Sequence, residues 1–110
     1  MQIQTQRDQG YLIVNITGRL DSVSSSEFDQ AAQKWLADGE KNVILDLQHL
    51  DYISSAGLRV ILALAKKLKA AQGSLSWCCL SEMVQDVISC AGFDSFIPVF
   101  KDSRAAMSPC

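Results

Sequence analysis

An α/β fold, built as one mixed and largely parallel β-sheet with helices packed against it, is predicted for this chain by three observations. Apolar runs of strand length alternate with segments of helical periodicity. Two opening strands are joined by a short Gln9-Gly10 turn, and the helical segments close on Gly39, Gly73 and Gly92.

Each element follows from its residues. Met1 to Arg7 alternates Ile3 and Thr5 with glutamines, and after the turn Tyr11 to Ile16 forms the second arm of a hairpin. In that arm Leu12, Val14 and Ile16 share one face, and Tyr11, Ile13 and Asn15 the other. Gly18-Arg19-Leu20-Asp21 ends the strand, and Ser22 to Ser26 is a loop in which Ser24 and Glu27 fit a capping box. From Glu27 to Ala37 the apolar residues Phe28, Ala31, Ala32, Trp35 and Leu36 recur at helical spacing. Val43 to Leu47 is continuously apolar apart from Asp46, as expected of a strand covered on both faces. A second helix begins near Ser55 and buries Leu58, Ile61, Leu62, Ala65 and Leu68. Leu75 to Leu80 is a short strand with Leu75, Trp77 and Cys79 on one face. Ser81 caps a third helix whose apolar side carries Met83, Val84, Val87 and Ile88. Phe96 to Phe100 forms a last strand, placed at a sheet edge by Pro98, and Asp102 to Met107 a final helical turn. The resulting order is β-β-α-β-α-β-α-β-α, in one domain over residues 1–110, with no internal repeat, linker or low-complexity segment.

Composition narrows the function classes. With 48% hydrophobic and 20% charged residues the chain is globular in character. Ten basic and twelve acidic residues leave a net charge of −2, which offers no field for nucleic-acid phosphates. The dense basic cluster, Lys66, Lys67 and Lys69, belongs to a solvated helix face. No apolar run approaches a membrane span and no basic-then-apolar leader is present, so a cytoplasmic protein is expected. Cys78, Cys79, Cys90 and Cys110 contain no C-x-x-C pair, and two are adjacent. That spacing suits small core residues or incidental thiols, so neither a metal nor a cofactor is expected.

The stretch from Asp46 to Leu68 concentrates the chemistry. Its two serines, Ser54 and Ser55, stand where a helix begins, at the end with unpaired N–H groups and positive dipole, where a phosphate would be stabilised. Hydrolase chemistry fits poorly. The turn reads I-S-S-A-G where a nucleophile elbow needs G-x-S-x-G, and His49 precedes the serines on the same short connection. Asp46 is assigned a structural role at the strand end.

Three words of the sequence carry a family resemblance: G-R-L-D at Gly18 to Asp21, V-I-L-D-L at Val43 to Leu47, and I-S-S-A-G-L-R-V at Ile53 to Val60. With the length and element order, they make the chain resemble the STAS domains, in particular the stand-alone anti-sigma factor antagonists of bacteria. The resemblance implies a regulatory switch and not an enzyme. The unphosphorylated protein would bind an anti-sigma factor that is itself a serine kinase of the histidine-kinase-like ATPase fold. Phosphorylation would break that complex, and a PP2C-type phosphatase would restore it. The phosphoacceptor falls on Ser55, with Ser54 as second choice, since the family pattern D-S-S-G-L often has an aspartate at the place of Ser54 and a second serine at that of Ala56. Asp21, Ser54, Ser55, Ala56, Gly57 and Arg59 are the residues implied at the partner surface. For Asp21, capping of the Ser22 to Ser26 loop and partner contact both stand open. Two other roles known among STAS domains also stand open: a scaffold or accessory subunit without a phosphoserine switch, of stressosome-like or transport-associated type, and a small-ligand or nucleotide-binding module.

Overall fold

A computed structural model describes residues 1–93 and 97–107 of the chain. Among them the elements are β1 (Gln2–Asp8), β2 (Tyr11–Leu20), α1 (Ser25–Ala37), β3 (Asn42–Asp46), β4 (Leu50–Ile53), α2 (Ser55–Ala70), β5 (Ser74–Cys78), α3 (Glu82–Cys90), β6 (Val99–Phe100) and α4 (Ser103–Met107). The opening hairpin pairs β1 antiparallel to β2, with Asp8 opposite Tyr11. Every other pairing is parallel, giving the order β1-β2-β3-β5-β6 with β4 beside the second half of β2. The sheet is therefore mixed and largely parallel, as the sequence predicts, and β6 lies at its edge.

Side-chain alternation along the strands sorts the helices into two layers. Leu12, Val14 and Ile16 face α1, α2 and α3, which contribute Phe28, Trp35, Ile61, Leu64, Leu68 and Ile88 to one large core. Within it the Phe28 and Trp35 rings meet edge to face at 5.7 Å, a geometry worth about 0.5–1.5 kcal/mol beyond the area buried. Ile13, Ile44 and Cys78 face the opposite way, beneath Ala106 of α4. None of the helices among the described residues is long and apolar enough to cross a membrane.

Several expectations are corrected. The connection after β3 holds a strand, β4, in which Leu50 and Ile53 are buried while Asp51 and Tyr52 are exposed. Four residues are too few for a periodicity to show, and β4 forms because β2 continues to Leu20 and offers it a parallel edge from Gly18 onward. The second strand thus does not end at Ile16. Ser24 makes no capping hydrogen bond to α1, which starts at Ser25, because its hydroxyl is held by the preceding loop, 2.7 Å from the Arg19 carbonyl. In α2 the buried position is Leu64, with Leu62 half-buried, and in α3 Met83 is 52% exposed. The chain reverses after α2 with Gln72, not Gly73, in the left-handed region at φ 64°. Gln72 N–H donates to Lys69 O and Gly73 N–H to Leu68 O, which satisfies the last carbonyls. Gly73 is needed for close approach, since a Cβ there would lie 2.0 Å from the Lys41 carbonyl oxygen. Cys79 does not share the face of Leu75 and Trp77. It adopts φ 60° and packs with Cys78 on the α4 side. Phe96 and Cys110 lie outside the described residues.

Candidate functional site

The start of α2 is pinned to the end of β2. Ser54 N–H donates to the Leu20 carbonyl at 2.9 Å, which extends the β2–β4 ladder by one bond and fixes where the helix begins. Ser54 is extended (φ −99°, ψ 173°), and its hydroxyl oxygen accepts the Gly57 N–H at 3.2 Å. It is therefore the helix cap, satisfying one of the donors that a helix start leaves open. Gly57 sits directly over Leu20, where a Cβ would be 2.7 Å from the Leu20 carbonyl oxygen and 2.8 Å from its Cγ. The order serine, serine, alanine, glycine thus has a packing logic: a cap, a first helical residue, a small spacer, and a residue with no side chain at the contact.

The two serines differ in consequence. Ser55 is the first residue of the helix, it is exposed, and its hydroxyl makes no hydrogen bond among the described residues. The first turn of α2 contains no acidic residue. An anion on Ser55 would meet the positive end of a helix of four turns with no like charge inside that turn.

Asp21 borders this helix start through the neighbouring Leu20. Its Oδ1 accepts the N–H groups of Val23 at 3.0 Å and Ser24 at 3.1 Å, and its own N–H donates to the Ser24 hydroxyl at 2.9 Å. The Ser24 N–H holds the Asp21 carboxyl below the ordinary carboxylate range, aided by the Ser24 hydroxyl, the Val23 N–H and the Arg19 guanidinium against a partial desolvation. Asp21 Oδ2 lies 3.6 Å from Arg19 Nε, and the Arg19 guanidinium stacks over the Tyr52 ring at 4.3 Å. The structural role of Asp21 is thereby established: it shapes the loop that precedes α1.

Of the six residues implied at a partner surface, Gly57 is buried. Ser55 and Arg59 are exposed, and Asp21, Ser54 and Ala56 half-exposed. Beside Ser55 runs an open groove of about 470 Å³ between α2 and α3, lined by Ser55, Leu58, Asp86, Val87, Cys90 and Ala91. Elsewhere on the surface three large apolar side chains are exposed: Val23 (83%) in the loop after β2, Tyr52 (36%) on β4, and Met83 on α3. The sequence pattern assigns Met83 to the apolar side of its helix, and singles out neither Val23 nor Tyr52. His49 does not join the serines in a catalytic arrangement. It occupies the exposed turn before β4, where its carbonyl accepts the Gly18 N–H at 3.0 Å. Asp46 Oδ1 accepts the Gln48 N–H at 3.1 Å, in the structural role expected of it. Burial raises the thiols of Cys78 and Cys79 above their ordinary range, so neither is an activated nucleophile.

Known proteins share this fold. A family model described as the STAS domain matches residues 2–106. BtrV of Bordetella bronchiseptica, a candidate anti-sigma factor antagonist, is 39% identical over 106 residues, which cover 96% of this chain and 91% of that protein. The crystal structure of an anti-sigma factor antagonist from Mycobacterium paratuberculosis superposes with a TM-score of 0.90 at 20% identity, over 98% of this chain and 92% of its own. The Bacillus cell fate determinant SpoIIAA in its phosphorylated form superposes with a TM-score of 0.75 at 15% identity, over 99% and 100% respectively. The two structural likenesses speak for the fold, and the family match, spanning nearly every residue that builds the sheet and the serine turn, establishes that this chain belongs to the STAS domain family.

Proposed function

We propose that this protein is an anti-sigma factor antagonist that works by partner switching, with Ser55 as the phosphorylated residue. The observation that carries the reading is the division of labour at the start of α2: Ser54 is spent on capping, and Ser55 presents a free hydroxyl to solvent. The kinship with BtrV and the existence of a phosphorylated form of SpoIIAA support it. In this reading the protein catalyses nothing itself. It acts in the bacterial cytoplasm as a single domain, and its partners are an anti-sigma factor with serine kinase activity, of the histidine-kinase-like ATPase fold, and a PP2C-type phosphatase.

The physics of the switch is local. A phosphate adds about −1.5 to −2 charges at neutral pH, and at the first residue of α2 the fold tolerates it. A partner seated over Ser55 and the groove between α2 and α3 would have to bury that dianion beside Asp86. Like charges juxtaposed in an interface cost several kcal/mol, so a loss of about 2–5 kcal/mol corresponds to roughly a 30-fold to several-thousand-fold weaker complex. The test is incubation with a cognate kinase and ATP, followed by mass-spectrometric mapping. One phosphate on Ser55, absent from Ser55→Ala, is the expected result. Phosphate mapped elsewhere, or none, would overturn the assignment.

A further inference from the structure

We infer that Asp46, Cys78 and Cys79 form a binding site for a thiophilic divalent cation of the zinc class, on the face of the sheet opposite α1, α2 and α3. One donor atom from each of the three, a carboxylate oxygen and two sulfurs, lies within 4.8 Å of the other two. The sequence gives no hint of this, because Asp46 is distant in the chain and adjacent cysteines on a strand point to opposite faces. Two structural features bring the donors together. Asp46 and Cys78 are partners in the β3–β5 register, at the ends of neighbouring parallel strands. Cys79 then takes a left-handed backbone at φ 60°, uncommon for a residue with a Cβ, which turns its thiol to the side of Cys78 and α4.

The donor set defines the ligand class. Two thiolates with one carboxylate suit a borderline-soft ion, and hard cations such as magnesium or calcium take oxygen alone. Zinc–sulfur bonds of about 2.3 Å in tetrahedral geometry place two sulfurs about 3.8 Å apart, so donors within 4.8 Å of one another need to close by about 1 Å at most. Cys79 and Asp46 are half-exposed, which leaves ion access and a fourth position for water. The Gln48 N–H on Asp46 Oδ1 orients the carboxylate and leaves Oδ2 for the metal. This site is independent of Ser55 and of the proposed switch.

Cobalt(II) serves as the probe, added to the full chain reduced with a phosphine, with thiolate-to-cobalt charge-transfer absorption in the near ultraviolet as the readout. Saturation at one ion per chain, reversed by added zinc, is expected. Cys78 is buried, so the informative variants are at the half-exposed positions, with circular dichroism to verify folding. Cys79→Ser is expected to weaken binding at least about tenfold and to diminish the charge-transfer band, Asp46→Asn to weaken it about tenfold with the band retained, and Cys90→Ser to change nothing. Absence of the band in the wild-type chain overturns the site, as does a band that survives Cys79→Ser and disappears in Cys90→Ser.

Discussion

Replacing each of the two adjacent serines by alanine separates the structural cap from the proposed signalling residue. Ser54→Ala removes the oxygen that accepts the Gly57 N–H. Such cap deletions cost about 0.5–2 kcal/mol, typically about 1. The donor left behind belongs to a buried residue, Gly57, with poor access to water, so the upper half of that range is expected. For a domain of this size about 1 kcal/mol lowers the melting temperature by roughly 4–8 °C. Ser55→Ala removes a hydroxyl without partners, and alanine has the better helix propensity, so its stability is expected to match or slightly exceed wild type. Urea titration followed by circular dichroism measures both, with equal slopes required for the comparison. Equal destabilisation of the two variants, or a larger loss for Ser55→Ala, would refute the assignment of the cap to Ser54.

Other expectations follow from the same packing. Gly57→Ala gains helix propensity but drives a methyl group into the Leu20 carbonyl, a backbone atom that cannot rotate away. Overpacking of about 1–3 kcal/mol outweighs a propensity gain of up to about 1, so a lower melting temperature is expected, and a variant as stable as wild type would contradict the close contact. Trp77 is fully buried with its indole N–H unpartnered among the described residues. Trp77→Phe therefore removes an unsatisfied donor along with some volume, and a net change within about 1 kcal/mol is expected, against about 2–5 for Leu45→Ala in the same core. A loss for Trp77→Phe as large as that for Leu45→Ala would show that the donor is satisfied. Finally, Asp21 has a folded-state pKa below its unfolded value, so its contribution is present above the unfolded value and is lost as pH falls through the folded one. Asp21→Asn keeps the loop's acceptor without the titration, and its urea midpoint is expected to fall less than that of wild type between pH 7 and pH 3. Parallel acid losses in the two proteins would argue against it.

Much of this architecture was legible because hydrophobic period and local chemistry agreed. The alternation of Leu12, Val14 and Ile16, the helical spacing of Phe28, Ala32 and Trp35, and the cap at Ser81 are local signals, and each appears in the fold. What escaped depends on partners distant in sequence. β4 exists because β2 runs on to Leu20, and Leu64 displaces Leu62 from the core because neighbouring elements set how α2 is rotated on the sheet. Ser24 illustrates competition: its sequence context suits a capping box, yet Arg19 and Asp21 claim the hydroxyl first. At the site, S-S-A-G marked the helix start, but which serine caps and which is free rests on a 3.2 Å bond that no spacing rule specifies. Val23, Tyr52 and Met83 escaped because exposure of an apolar side chain is a property of the assembled surface.

The central claim, that a charge at Ser55 breaks a protein complex without disturbing the fold, is tested most directly by calorimetric titration of a cognate anti-sigma factor kinase with wild-type protein and its stoichiometrically phosphorylated form. Unchanged circular dichroism and melting temperature, with affinity at least about 30-fold weaker for the phosphorylated protein, is the predicted result. Equal affinity of the two forms would contradict the switch.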